Sequence, residues 1–337
     1  MKVQAIGEKI LTNKKVLKGL EKISEHGASF AATTAFVMSA GIRPLAIMFT
    51  PDTEKENKQY AASKSIASGL IKFAMIEAVA LPLEYAVQKI DADPKKYLKS
   101  KTIDNLLDGS NELSKSKSYK FLTQIIKQSA GLLTAIPKSV VAISLIPIIV
   151  DKVFGVKPQQ PSAIVNDSHK TNTHPSSNPF FTGRISQYGA SGIGKLLDLE
   201  GLQKFANKYK NKDSDITKHM TAATDVLLTA TAVQQIQNNS KIKENRKKAL
   251  IYNNIITTAI TLAGGYLADG VVKKRTEKFV NKFKMLNREA PNLAKCVEGI
   301  NILRPILIFA GIYYAILPIF STYISEKIDK FVGKGHG

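Results

Sequence analysis

Cysteine occurs once in the 337 residues, at Cys296. A single thiol excludes an intrachain disulfide, a cysteine-based zinc site and an iron–sulfur cluster. Its plainest reading is a small hydrophobe in a buried or interfacial place. Arginine is scarce too: Arg43, Arg184, Arg246, Arg275, Arg288 and Arg304 are the only six among 48 basic residues. Nucleic-acid readers rely on the guanidinium fork to grip phosphate and guanine. The chain also lacks RNA-binding, zinc-finger and helix-turn-helix signatures, so nucleic acid is not an expected partner. Residues 1–25 lack the apolar core and small-residue cleavage site of a signal peptide.

Histidine offers no catalytic kit. His169 and His174 lie in a polar segment with no thiolate or close set of carboxylates beside them, and His26 and His219 stand at the mouths of apolar runs. No Ser-His-Asp or paired-carboxylate arrangement can be read from the spacing. We therefore expect no catalytic residues, no cofactor and no metal, and a protein that is not an enzyme.

Acidic residues are few, 27 against 48 Lys and Arg, which leaves a formal charge of +21 and a pI near 9.8. Lysines spread over every polar segment suit anionic lipid headgroups, where each nearby charge adds about 1 kcal/mol. Anionic membrane lipids are the expected partners, and self-association is left open. Lys-, Asn- and Ile-rich usage points, by association, to a bacterial cytoplasmic membrane.

Six apolar runs cover roughly 27–50, 65–87, 129–150, 220–237, 249–268 and 303–324. Crossing the hydrocarbon core takes about 20 predominantly apolar residues. Residues 249–268 and 305–325 carry no charge, and between Gln128 and Val150 only Lys138 does. The other runs hold Arg43, then Lys72, Glu77 and Glu84, then Asp225. Each central charge costs about 2.5–3.5 kcal/mol on insertion scales, so these runs need strong neighbours. Mean hydropathy is only −0.07, which the Lys-rich connections explain. Segments 14–23, 103–125 and 273–286 read as basic amphipathic helices suited to a membrane surface.

The runs repeat. His26 opens a small-residue run, followed by a charged loop (Lys55, Glu56, Asn57, Lys58) and a second apolar run. His219 opens another, followed by Lys243, Glu244, Asn245, Arg246 and then residues 249–268. Flanking echoes keep the same order: residues 6–11 with 193–197, 146–148 with 317–319, and 151–155 with 329–333. The expected fold is all-α: polytopic membrane helices in two tandem pseudo-repeats of about three runs each. They occupy 1–155 and 192–337 and are joined by a flexible polar linker, 156–191. Three spans per unit would invert the second unit, whereas loop charges favour the same orientation for both. Pro137, Pro147, Pro305 and Pro318 point to kinked or interrupted third helices.

Gly189, Gly194 and Lys195 have Walker A spacing. Leu196 follows where Ser or Thr is needed, and no buried strand precedes, so this reads as the flexible start of the second unit. The charges within apolar runs are the better candidates, because such groups face a bundle interior or a watery cavity. Lys72, Glu77 and Asp225 are expected to line a polar path. Arg43, Lys138, Asp269 and Arg304 are secondary candidates, with structural pairing or snorkelling the simpler reading of Arg43, Glu84, Asp269 and Arg304 at run ends. Three functions fit: a protein that organises or remodels an anionic bilayer, a transporter or channel for a small solute or ion, and a soluble or peripheral bundle binding an acidic partner.

Overall fold

A computed structural model describes residues 8–49, 55–156, 182–239 and 244–318, and every regular element among them is helical. Six are long: α2 (Gly27–Met48), α3 (Lys55–Ala92), α7 (Ala130–Phe154), α10 (Ile216–Gln237), α11 (Glu244–Leu286) and α12 (Leu293–Ile316). Shorter ones surround their ends: α1 (Lys14–Glu25), α4 (Pro94–Tyr97), α5 (Ser100–Leu107), α6 (Lys117–Gln128), α8 (Thr182–Leu197) and α9 (Glu200–Tyr209). Among the described residues, four helices are long and apolar enough to cross a membrane: α2, residues 58–92 of α3, residues 247–286 of α11, and α12.

Contacts fix the direction of each long helix. The amide of Ala28 meets Glu84 and Ser39 meets Ser65, so α2 and α3 are antiparallel. Ala130 packs by Ala80, while Ile146 and Val150 pack by Ala67 and Ile71, so α7 also opposes α3. Lys218 reaches Asp269 and Thr229 reaches Thr258, which sets α10 against α11. Arg304 and Phe309 meet Asp269 and Gly265, which sets α12 against α11 as well. Gly131 of α7 abuts Thr224 of α10, and Gly27 of α2 abuts Ile302 of α12. Hence α2, α7, α10 and α12 start at one end of the bundle. The first and fourth apolar runs point the same way.

At 38 and 43 residues, α3 and α11 are roughly 57 and 65 Å long, against a hydrocarbon core of about 30 Å. Their C-terminal ends extend beyond the start of α2 and α10, and the short helices pack there. Val87, Ile90, Leu106, Tyr119, Ile193 and Leu197 form one core; Leu20, Val280, Phe283, Cys296 and Ile300 form another. Apolar side chains of 14–23, 103–125 and 273–286 pack into these two cores. Cys296 sits in that second core with its Sγ–H on the Leu17 carbonyl at 3.4 Å.

Local sequence explains the boundaries. Asn13 caps α1 by accepting from the Lys15 amide at 2.8 Å. Gly155 ends α7 with φ +65°, a left-handed turn that closes a bond from the Val156 amide to the Val150 carbonyl. Pro137 and Pro305 do not interrupt their helices; α12 instead takes a π-helical turn at Ile312–Ile316, and α2 takes one at Met38–Ile42. The Walker-like glycines lie inside α8, so their amides serve the helix. Gly189 rests on Ala86 and Gly194 on the Tyr97 carbonyl. Residues 182–191, read from sequence as part of the flexible linker, are helical. His169, His174, Pro318's successors and most of the linker lie outside the described residues.

Gly299 of α12 faces the backbone of Leu20 so closely that no side chain fits between them. Gly299→Leu should destabilise the protein by about 1–3 kcal/mol through overpacking, read as a lower Tm in detergent. Gly201→Ala, which has open space, should leave Tm unchanged or slightly raised. Equal Tm values for Gly299→Leu and the parent would contradict this packing.

Candidate functional site

Between α2, α3, α7, α10, α11 and α12 lies a chamber of about 950 Å³. It runs from Ala28, Gln128 and Met220 near the capped end to Gln234, Asn238 and Asn254 at the other. Helical periodicity explains which residues face it. Lys64, Ser68, Lys72 and Ile76 recur every four residues on α3, and Ala28, Ala31, Ala32 and Ala35 form a thin stripe on α2. α10 adds Thr221, Thr224, Asp225 and Thr229; α11 adds Asn254, Thr257, Thr258 and Thr261. Lys138 enters from α7, and Phe309, Tyr313 and Tyr314 from α12.

Lys72, Asp225 and Lys138, read from sequence as charges within apolar runs, share this wall. Glu77 does not. Five residues turn a helix about 140° beyond Lys72, which brings Glu77 to Ser29 and Glu84 instead. Arg43 stacks over the Tyr313 ring at 5.2 Å, at the chamber's edge. Lys64 was missed because it sits at the loop boundary of its run. The threonine faces were missed too, although their three- and four-residue spacing was a usable signal. Thr224, Thr229 and Thr261 bond carbonyls four residues back, at 2.8–2.9 Å.

Two carboxylates hold the capped end shut, both fully buried. Glu84 reaches from α3 to the N-terminus of α2, where its Oε1 accepts from the amides of Ala28 (2.9 Å) and Ser29 (3.0 Å). Its Oε2 accepts from Ser29 Oγ at 2.7 Å and faces His26 Nδ1 at 3.0 Å. A negative charge there satisfies orphan amides and complements the helix dipole. Asp269 of α11 takes the Arg304 Nε at 2.7 Å and the Lys218 Nζ at 2.9 Å. Arg304 also donates to the Ser214 carbonyl at 3.1 Å, and Lys127 to the Ser24 carbonyl at 2.7 Å. Asp269 and Arg304 thus pair structurally, away from the chamber wall. His219 meets the Tyr266 hydroxyl at 2.8 Å.

No known family, characterised protein or solved structure matches the chain. Its chemistry must be read from its own side chains. Among the described residues no group of three His, Cys, Asp or Glu is placed to hold a metal ion.

The hydrogen bond to Glu84, opposed by partial burial, raises the His26 imidazole above its ordinary value of 6.5. A raised folded value means that the His26 contribution to stability is complete below pH 6.5 and fades as pH rises through the folded value. Tm measured across this window should fall for the parent and stay flatter for His26→Gln. Identical slopes would remove His26 from the clamp.

Proposed function

We propose that this is a polytopic membrane protein that admits a small solute to a chamber inside its bundle and acts as a carrier or channel. One observation carries the reading: charged and hydroxyl groups gather on the wall of an internal chamber while large apolar side chains face outward. Val37, Leu45, Leu70, Leu133, Leu267 and Leu307 face outward, Leu267 at 74% exposure, while ammonium, carboxylate and hydroxyl groups face inward. Water disfavours such an exterior and lipid disfavours such groups unless they line a cavity. Bilayer remodelling gains little support, because the amphipathic helices that would perform it are engaged with protein. The lysines of residues 93–120 lie beyond the capped end, which suggests a cytoplasmic orientation for that end.

The duplication also belongs to this proposal. Reciprocal contacts support it: α1 packs on α12 and α9 packs on α6. The carbonyls of Ser24 and Ser214, each just ahead of a small-residue helix, both receive a cation. Glu84 and Asp269 are both fully buried carboxylates in the C-terminal halves of α3 and α11. A parallel relation between the two units suits these pairings better than an inverted one.

The soluble or peripheral reading has one observation in its favour. α7 ends beside Tyr60 and α8 packs beside Ala86, near opposite ends of α3, and residues 157–181 separate them in sequence. That polar segment offers nothing like the roughly 20 apolar residues that a lipid crossing needs. Two measurements decide between the readings. Membranes washed with carbonate should retain the protein. In proteoliposomes, Thr258→Cys should react with a membrane-impermeant thiosulfonate added on one side only. Release by carbonate, or no labelling from either side, would overturn the carrier reading.

A further inference from the structure

The chamber carries three lysines, Lys64, Lys72 and Lys138, against one carboxylate, Asp225. None of the four side chains makes a hydrogen bond or ion pair with another described residue. Lys138 is the sharpest case. It is 3% exposed, lies in the apolar helix α7, and lines the chamber. Elsewhere in this protein buried cations are matched: Arg304 by Asp269, and Lys127 by a carbonyl and Glu298. Asp225 acts on Lys138 through space without forming an ion pair, a largely buried ammonium is unfavourable without a closer anion, and two excess positive charges share one space here. Beside them the wall is apolar, with Ala32, Ile76, Ile306 and Phe309.

We propose that the chamber is a binding site for an organic anion, a carboxylate or phosphate group on an apolar body, with Lys138 as its principal contact and Lys72 as the second. Its volume lies within the range of small-molecule sites, about 300–1,000 Å³. The ammonium groups hold the oxyanion, and the Ala, Ile and Phe surface takes the body. Asp225 opposes a second negative charge near α10 and so sets where the oxyanion lies. This inference rests on the chamber being the solute site proposed above. Binding alone tests it, so failure of transport and failure of anion recognition give different results.

The test is calorimetric titration of the full-length protein in neutral detergent with decanoate, decyl phosphate and the uncharged analogue decanol. Decanoate and decyl phosphate should bind at least 10-fold tighter than decanol. Lys138→Met should lose that preference, and its ligand-free Tm should rise, because an unpaired buried charge is gone. Lys72→Gln, on the wider part of the wall, should weaken binding severalfold, and Asp225→Asn should strengthen it. The same anions are then titrated in nanodiscs of phosphatidylcholine with and without phosphatidylglycerol. Competition by phosphatidylglycerol assigns the oxyanion to a lipid headgroup, and no competition assigns it to a free solute. Decanol binding as tightly as decanoate, or an unchanged preference in both Lys138→Met and Lys72→Gln, would overturn the proposal.

Discussion

Everything in this bundle depends on where its ammonium and carboxylate groups can go once the helices carrying them have turned their apolar sides outward. Lysine, aspartate and threonine on runs of Ala, Ile and Leu leave two environments for the charged heads: the helix ends and the interior. The chain uses both, and differently. At the capped end the charges are paired and buried, with Glu84 on the amides of α2 and Asp269 on Arg304 and Lys218. In the interior they are grouped without pairing, and the space between them is a chamber.

That division gives the two ends of the molecule different mechanical character. Trans-helix capping and the Arg304–Asp269 pair fix α2, α10 and α12 where they begin, and removing either partner of such a pair costs roughly 3–5 kcal/mol. Two packed cores beyond that end extend the same rigidity outward. Toward the other end, α2 and α12 each take a π-helical turn close to where Arg43 meets Tyr313. Turns of this kind recur at functional positions.

Much of the architecture was legible in the chain. The small-residue and apolar runs marked the long helices, because length and hydropathy decide them independently of context. Lys72, Lys138 and Asp225 stood out as charges in apolar sequence, and the structure puts all three on the chamber wall. Glu77 stood out equally and lies elsewhere, since a run's charge pattern does not say which face meets which neighbour. Likewise, the faces of residues 14–23 and 103–125 were visible as amphipathic. Whether lipid or protein covers such a face depends on the C-terminal ends of α3 and α11, which only tertiary contacts reveal. The glycines of α8 imitated a phosphate loop for a local reason: close approach to Ala86 and Tyr97 needs small residues at that spacing.

The central claim is that charged and hydroxyl groups line an internal chamber while large apolar side chains face outward, and it can be measured directly. Nitroxide labels placed singly at Leu267, Leu133, Thr224 and Ala232 in reconstituted protein would report collision with oxygen, which partitions into lipid, and with a water-soluble nickel chelate. The account predicts oxygen-dominated relaxation at Leu267 and Leu133 and nickel-dominated relaxation at Thr224 and Ala232. Nickel-dominated relaxation at all four positions would place the bundle in water and contradict it.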